Sequence, residues 1–225
     1  MRYLPSEQKV YRAVLNPLID RRIKFAIINE VNDSYLGVIK MKDFFEINVA
    51  GLTRRLPLCP INDDLYIGAF VLFGDVELTM ACATELLKKA PEFDVMITAE
   101  SKGIPLVYEM ARQAGVNKYL LARKMAKLYM KDVFSVELQS ITTEKRQELF
   151  IDRNDADFMK GKRILIVDDV ISTGESLRAV EKLVQESGGI VAGRMAILAE
   201  GDANKRDDII FLEHLPMFDE NGEIL

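Results

Sequence analysis

Two adjacent carboxylates, Asp168 and Asp169, stand just ahead of a turn of small and hydroxyl-bearing residues, Ser172-Thr173-Gly174-Glu175-Ser176. A helical pattern follows the turn, so its backbone N–H groups open a helix N-terminus, which suits a phosphate. Carboxylates beside such a cradle suggest a sugar phosphate as ligand. A second interpretation needs no ligand. Ser172-x-x-Glu175 is also a capping-box pattern, in which Glu175 bonds back to the Ser172 N–H and the aspartates are ordinary turn residues.

The elements that must hold these groups follow from periodicity. Ile164 to Val167 is an uninterrupted apolar run bounded by polar residues, the pattern of a buried strand in a parallel sheet. Leu177, Val180, Leu183 and Val184 fall on one face of the following helix. Strand, acidic pair, turn and helix in this order put the polar groups at the carboxyl end of a strand, where open α/β sheets bind ligands.

Upstream, Asp75 is the expected N-cap of a helix through Lys89, and a strand is expected over Asp94–Thr98. A polar turn over residues 99–103 leads into a helix to about Gln113, closed by Gly115, and Tyr119–Ala122 is another strand. A two-stranded arm is expected over Val133–Ser140 and Gln147–Asp152, joined by residues 141–146. Gly188-Gly189 turns the chain into a strand over Ile190–Leu198, and Ile209–Leu212 is a last short one. Alternation of strands and helices at these lengths predicts an α/β fold with a parallel sheet.

The first third differs. A helix is expected over residues 6–19 and strands over Ile23–Ile28, Tyr35–Met41, Phe44–Val49, Leu56–Ile61 and Tyr66–Phe73. These short, proline- and glycine-broken pieces predict a small β-rich subdomain. The expected division is 1–74 for the N-terminal helix and subdomain and 75–225 for the core.

Composition sets outer bounds. The chain has 225 residues, 49% hydrophobic and 29% charged, those of an ordinary soluble protein with room for a full core. A net charge of −5 argues against nucleic acid or anionic membrane as a partner, so an anionic ligand needs a local cluster of cations. Such a cluster exists: Arg123, Lys124, Lys127 and Lys131 occur with no acid before Asp132. The N-terminus has no signal-peptide pattern and no apolar run reaches the ~18 residues of a membrane span. Cys59 and Cys82 lack metal-like spacing, which fits a reducing cytoplasm. His214 is the single histidine, leaving acid–base chemistry mainly to carboxylates.

The stretch Val167-Asp168-Asp169-Val170-Ile171-Ser172-Thr173-Gly174-Glu175-Ser176 resembles the phosphoribosyl-diphosphate (PRPP) signature of type I phosphoribosyltransferases. Further features stand in family order. The turn Glu100-Ser101-Lys102-Gly103 looks like the family's pyrophosphate loop, and Arg123-Lys124 like the start of its lid. Phe134-Ser135-Val136-Glu137 on the arm is similar to the lid of adenine phosphoribosyltransferases. The resemblance covers residues 75–200 well and residues 19–72 weakly.

It implies the type I phosphoribosyltransferase fold: a central, mostly parallel sheet flanked by helices, with a β-rich hood and a two-stranded flexible lid at about 123–152. It implies transfer of the 5-phosphoribosyl group from PRPP to a purine, adenine favoured, with xanthine, hypoxanthine or guanine as alternatives. By the same resemblance, Asp168 and Asp169 accept from the ribose hydroxyls, and Glu137 serves catalysis or the base. Ser172, Thr173, Gly174, Glu175 and Ser176 hold the 5′-phosphate, while Ser101, Lys102, Gly103, Arg123, Lys124 and Lys127 hold pyrophosphate. Mg²⁺ is expected on pyrophosphate and ribose oxygens rather than on protein ligands. A cytoplasmic homodimer is expected.

Glu175 departs from the glycine common in adenine-specific relatives. Two other classes are weaker. A PRPP-sensing transcriptional regulator of the same fold needs a DNA-binding segment, and residues 20–72 read as strands. A nucleotide-binding domain needs Gly-x-x-x-x-Gly-Lys-Ser/Thr or Gly-x-Gly-x-x-Gly, and neither occurs.

Overall fold

A computed structural model describes residues 42–130, 132–139 and 146–225. The helix expected over residues 6–19, the strands expected over 23–28 and 35–41, and most of the expected arm turn lie outside these residues.

The centre is a five-stranded parallel sheet of β4 (Val95–Ala99), β5 (Tyr119–Ala122), β8 (Arg163–Ile171), β9 (Ile190–Glu200) and β10 (Ile210–Leu215), in the order β10-β9-β8-β4-β5. Alternate side chains of the apolar run in β8 enter opposite cores, as period-2 geometry requires. Ile164 and Ile166 pack with Leu177, Val180, Leu183 and Val184 of α4 (Glu175–Glu186). Leu165 and Val167 face the other way, toward α1 (Val76–Lys89) and α2 (Ile104–Ala114), meeting Leu78, Leu86, Leu106 and Met110.

The expected caps form. Asp75 accepts from the Leu78 N–H at 3.0 Å at the start of α1, and Gly115 closes α2 at φ 69°. A second sheet, antiparallel in order β1-β2-β3-β11, packs into the α1–α2 side. It joins β1 (Phe44–Val49), β2 (Leu52–Pro60) and β3 (Tyr66–Gly68) to β11 (Met217–Phe218). Its fourth strand therefore comes from near the end of the chain, and Phe218 packs its ring 5.0 Å from that of Phe45.

The arm is a hairpin of β6 (Val133–Gln139) and β7 (Arg146–Asp152), paired from Val133↔Asp152 to Gln139↔Arg146. Val136, Leu149 and Ile151 bury against the α4 side of the sheet. One helix is new relative to the sequence pattern, α3 (Arg153–Met159), whose N-cap Asp152 accepts from the Asn154 N–H at 3.0 Å. Both cysteines are free. Among the described residues, no helix is long and apolar enough to cross a membrane.

Candidate active site

From β4 the chain crosses through α2 to β5 on one side, while β8 lies against β4 on the other. The β4/β8 boundary is the switch point of the sheet, where the connections diverge and leave a crevice beyond the strand ends. Both turns singled out in the sequence open there, one after each strand.

The turn after β4 is compressed. A methyl group on Gly103 would collide with Thr98 Oγ1 and lie 3.1 Å from Asp168 Oδ1, so only glycine lets this turn pass so close to β8. The Glu100–Ser101 peptide is cis. Ser101 and Lys102 are exposed, and the Ser101 carbonyl accepts from the Ile104 N–H at 3.2 Å as α2 begins.

Lys102 Nζ reaches across to Asp169, 3.0 Å from Oδ2. Oδ2 is buried, on a residue only 2% exposed, and Lys102 is its charge partner. A buried carboxylate oxygen has room for more than one donor, so a ligand hydroxyl or a hydrated cation can join or replace Lys102 there.

Asp168 and Asp169 lie inside β8 rather than beyond it, because the strand goes on pairing with β9 through Ile171↔Ala199. Asp168 Oδ1 accepts from the Asp169 N–H at 2.9 Å. Burial, then the neighbouring Asp169 charge, push the Asp168 carboxyl up to about 8, with Lys102 opposing. The pair therefore holds a proton at neutral pH until something stabilises both charges.

The turn after β8 is built differently. Gly174, at φ 75°, is the N-cap of α4 and, as glycine, offers no side-chain cap of its own. Its first-turn N–H groups face the crevice end of the fold with their positive partial charge. The capping-box alternative requires Ser172 as N-cap, but the helix begins two residues later and Glu175 is its first residue. Thr173 Oγ1 instead stands 3.5 Å from the Glu175 N–H. Ser172, Thr173 and Ser176 are exposed, Gly174 is buried and Glu175 half-buried.

The basic residues after β5 converge on Glu100, the residue of the β4 turn to which the sequence pattern gave no role. Glu100 Oε1 accepts from Arg123 Nη1 at 3.0 Å and lies 3.9 Å from Lys127 Nζ, while the Lys124 N–H stands 3.4 Å from Oε2. Burial opposes ionisation of Glu100, but the Arg123 hydrogen bond, the Lys124 N–H and the nearby cations hold its carboxyl below the usual range. Reciprocal 2.8 Å hydrogen bonds between the Arg123 and Phe150 backbones tie the root of the arm to the end of β5.

Glu137 lies elsewhere. Its side chain is on the exposed face of β6, its register partner is Glu148, and its carbonyl accepts from Lys182 Nζ at 2.7 Å. Lys182 is two turns into α4, about 10 Å along the axis from the helix start. Arg54 and Arg55, the basic pair of β2, are both engaged by neighbours. Arg54 forks onto Asp75 at 2.6 and 3.0 Å and reaches Glu77 at 2.8 Å, while Arg55 stacks over Phe44 at 3.2 Å.

Two arginines at the second turn were not anticipated. Arg178 Nη1 stands 3.4 Å from the Thr173 carbonyl, and Arg206, from beyond β9, lies over Gly174. The signal for Arg178 was present: a cation in the first turn of a helix opposes the helix dipole and invites an anion. Arg206 is thirty residues away in sequence and carried no such mark.

A parallel α/β sheet with two carboxylates and two helix-opening turns at its switch point is the arrangement in which open α/β proteins bind ligands. The phosphoribosyl transferase domain pattern matches residues 78–217, well over half of the chain, and the protein belongs to that family of phosphoribosyltransferases. It is 31% identical over 147 residues to the adenine phosphoribosyltransferase of Acetivibrio thermocellus, covering 62% of this chain and 80% of the relative. It is also 30% identical over 136 residues to the xanthine phosphoribosyltransferase of Bacillus mycoides, covering 59% of this chain and 68% of the relative. In fold it is similar to the crystal structure of adenine phosphoribosyltransferase from Thermoanaerobacter pseudethanolicus, with TM-score 0.54, 24% identity and coverage of 76% of this chain and 95% of that one.

Proposed function

We propose that this phosphoribosyltransferase moves the 5-phosphoribosyl group of PRPP onto a ring nitrogen of a purine, adenine favoured, releasing pyrophosphate and giving the nucleoside 5′-monophosphate. The observation that carries it is the meeting of Asp168–Asp169 on β8 with the Ser101–Lys102 turn of β4, 3.0 Å apart at Lys102 and Asp169. Adenine is supported by the A. thermocellus relative; the xanthine relative at similar identity supports a 6-oxopurine as the second choice.

In the reaction the C1′–oxygen bond breaks with its electron pair leaving on pyrophosphate, a C1′–nitrogen bond forms, and the base nitrogen gives up its proton to the departing pyrophosphate or to water. Asp168 and Asp169 accept from the ribose 2′- and 3′-hydroxyls and stabilise the sugar cation as charge develops. Ser101, Lys102 and the backbone at Gly103 bind the leaving pyrophosphate, with Arg123, Lys124 and Lys127 neutralising it. Ser172 to Ser176 hold the 5′-phosphate, which fixes C1′ in place for the base.

Mg²⁺ fits this arrangement. The buried Asp169 Oδ2, paired with Lys102, suits a hydrated cation's water or a ribose hydroxyl, and the ion would supply charge neutralisation on the leaving group. Closure of the arm over the crevice brings in Glu137 and excludes water, which protects the sugar cation from hydrolysis.

Met125, Leu128 and Tyr129 expose apolar side chains among the same cations, which suits burial against a second copy in a homodimer. Free cysteines suit a cytoplasmic setting. Incubation with PRPP, Mg²⁺ and, in turn, adenine, hypoxanthine, guanine, xanthine, uracil and orotate tests the proposal. Adenosine monophosphate is the expected main product. Product only from a 6-oxopurine would correct the base, and no product from any purine would remove the proposal.

A further inference from the structure

The 5′-phosphate turn has a feature that its backbone alone does not supply. Arg206 leaves the 3₁₀ turn Gly201–Lys205 after β9 and carries its guanidinium over Gly174. A methyl group on Gly174 would stand 2.5 Å from Arg206 Nη1 and 3.8 Å from Arg178 Nη1. Glycine here thus serves two needs: the left-handed φ of 75° and room for a guanidinium directly above the turn.

Arg206 is aimed by Asp208. Nε donates to Oδ1 at 2.8 Å and Nη2 to Oδ2 at 2.7 Å, a fork that consumes one edge of the guanidinium and turns Nη1 toward Gly174. Asp208 is itself braced, since Arg194 lies 3.8 Å from its Oδ2 while pairing with Glu181 of α4. The ion-pair chain Glu181–Arg194–Asp208–Arg206 therefore joins α4, β9 and the segment after it, and ends at the phosphate turn.

Two guanidinium groups at the N-terminus of a helix whose N-cap is glycine add positive charge where the helix dipole is already positive. Asp208, in its fork with Arg206, and Glu175, in the first turn, offset part of it. Arg206 Nη1 and Arg178 stay directed at the turn, and the oxygens of a dianionic phosphate match guanidinium N–H geometry. We propose that Arg206 is a direct ligand of the ribose 5′-phosphate, held in place by Asp208 as its positioning residue, with Arg178 at the same cradle. The proposal rests on the assignment of residues 172–176 to the 5′-phosphate, and it makes the cradle of this chain depend on a side chain from beyond the signature stretch.

Calorimetric titration of the full chain with ribose 5-phosphate and, separately, pyrophosphate tests it. Arg206→Ala is expected to weaken ribose 5-phosphate roughly 10- to 100-fold, the loss of a charge-assisted hydrogen bond, with pyrophosphate affinity within about twofold of wild type. Arg206→Gln keeps a donor for Asp208 without the charge and is expected to lose affinity similarly, so it serves where the alanine variant fails to fold. Arg206→Lys is expected to recover part of the binding, because a charge without the planar fork remains. Ribose 5-phosphate affinity within twofold of wild type in a folded Arg206→Ala or Arg206→Gln variant overturns the proposal and leaves Arg206 a structural partner of Asp208. A wild-type protein that binds pyrophosphate but not ribose 5-phosphate overturns the 5′-phosphate assignment itself, and Arg206's role with it.

Discussion

The turns after β4 and β8 end neighbouring strands of one sheet and are suited to anions by different means. The β4 turn presents side chains: Lys102, 48% exposed and paired with a buried carboxylate, beside Arg123 and Lys127 gathered at Glu100. The β8 turn presents backbone N–H groups at a helix start whose N-cap is glycine, with arginines above it. Side-chain cations paired with carboxylates can exchange those partners for a group that must bind and then leave. Fixed peptide dipoles suit a group that stays attached to the sugar throughout. The acid pair between the two turns belongs to neither and is where the sugar itself would lie.

Substitutions at the three places should therefore separate. Replacing both aspartates, Asp168→Asn with Asp169→Asn, should have the largest effect, a loss on the order of 10³-fold or more in kcat with the circular dichroism spectrum unchanged. Near-normal turnover in that variant would mean the carboxylates do not face the reacting sugar.

Lys102→Ala should come next. A loss of roughly 10- to 100-fold in pyrophosphate affinity is expected, with ribose 5-phosphate bound as in wild type. Equal losses for both ligands would erase the distinction between the turns.

The third expectation concerns protons. Asp168 in the folded protein is raised to about 8 from an ordinary 3.8, so across that interval the folded state holds a proton that the unfolded state has released. Its contribution to stability is thus fully present below about 3.8 and is lost as pH rises toward 8. Thermal unfolding of Asp168→Asn should show a shallower decline over that window than wild type. Ribose hydroxyls donate to the ionised form, so ribose 5-phosphate should release up to about one proton near pH 7, read from binding enthalpies in buffers of differing ionisation enthalpy. An identical proton count in wild type and Asp168→Asn would move the titration to another group.

Much of this was legible in the sequence because it depends on local chemistry. The apolar run Ile164–Val167, the N-cap Asp75 and the αL glycine Gly115 each specify their own element, and the observed sheet and helices agree with them. The acid pair and both turns follow from strand–turn–helix order. What was hidden is non-local or short. Two residues, Met217 and Phe218, complete the antiparallel sheet, too few to show a period. The α3 sequence is mostly polar and spans barely two turns, so only its contact with the arm and sheet gives it a buried side. Glu100, Arg206 and Asp208 gain their roles from partners brought close by tertiary structure. The extension of β8 past the aspartates depends on β9 continuing alongside it, which no pattern within residues 163–171 reveals.

The most direct test is simultaneous occupancy. Titrating pyrophosphate into protein saturated with ribose 5-phosphate, and then PRPP into each binary complex, asks whether the two turns hold the two ends of one ligand. Independent binding of the fragments, with each competing against PRPP, is the predicted result. Mutual exclusion of the fragments, or PRPP binding that neither affects, would contradict two neighbouring cradles at the β4/β8 switch point.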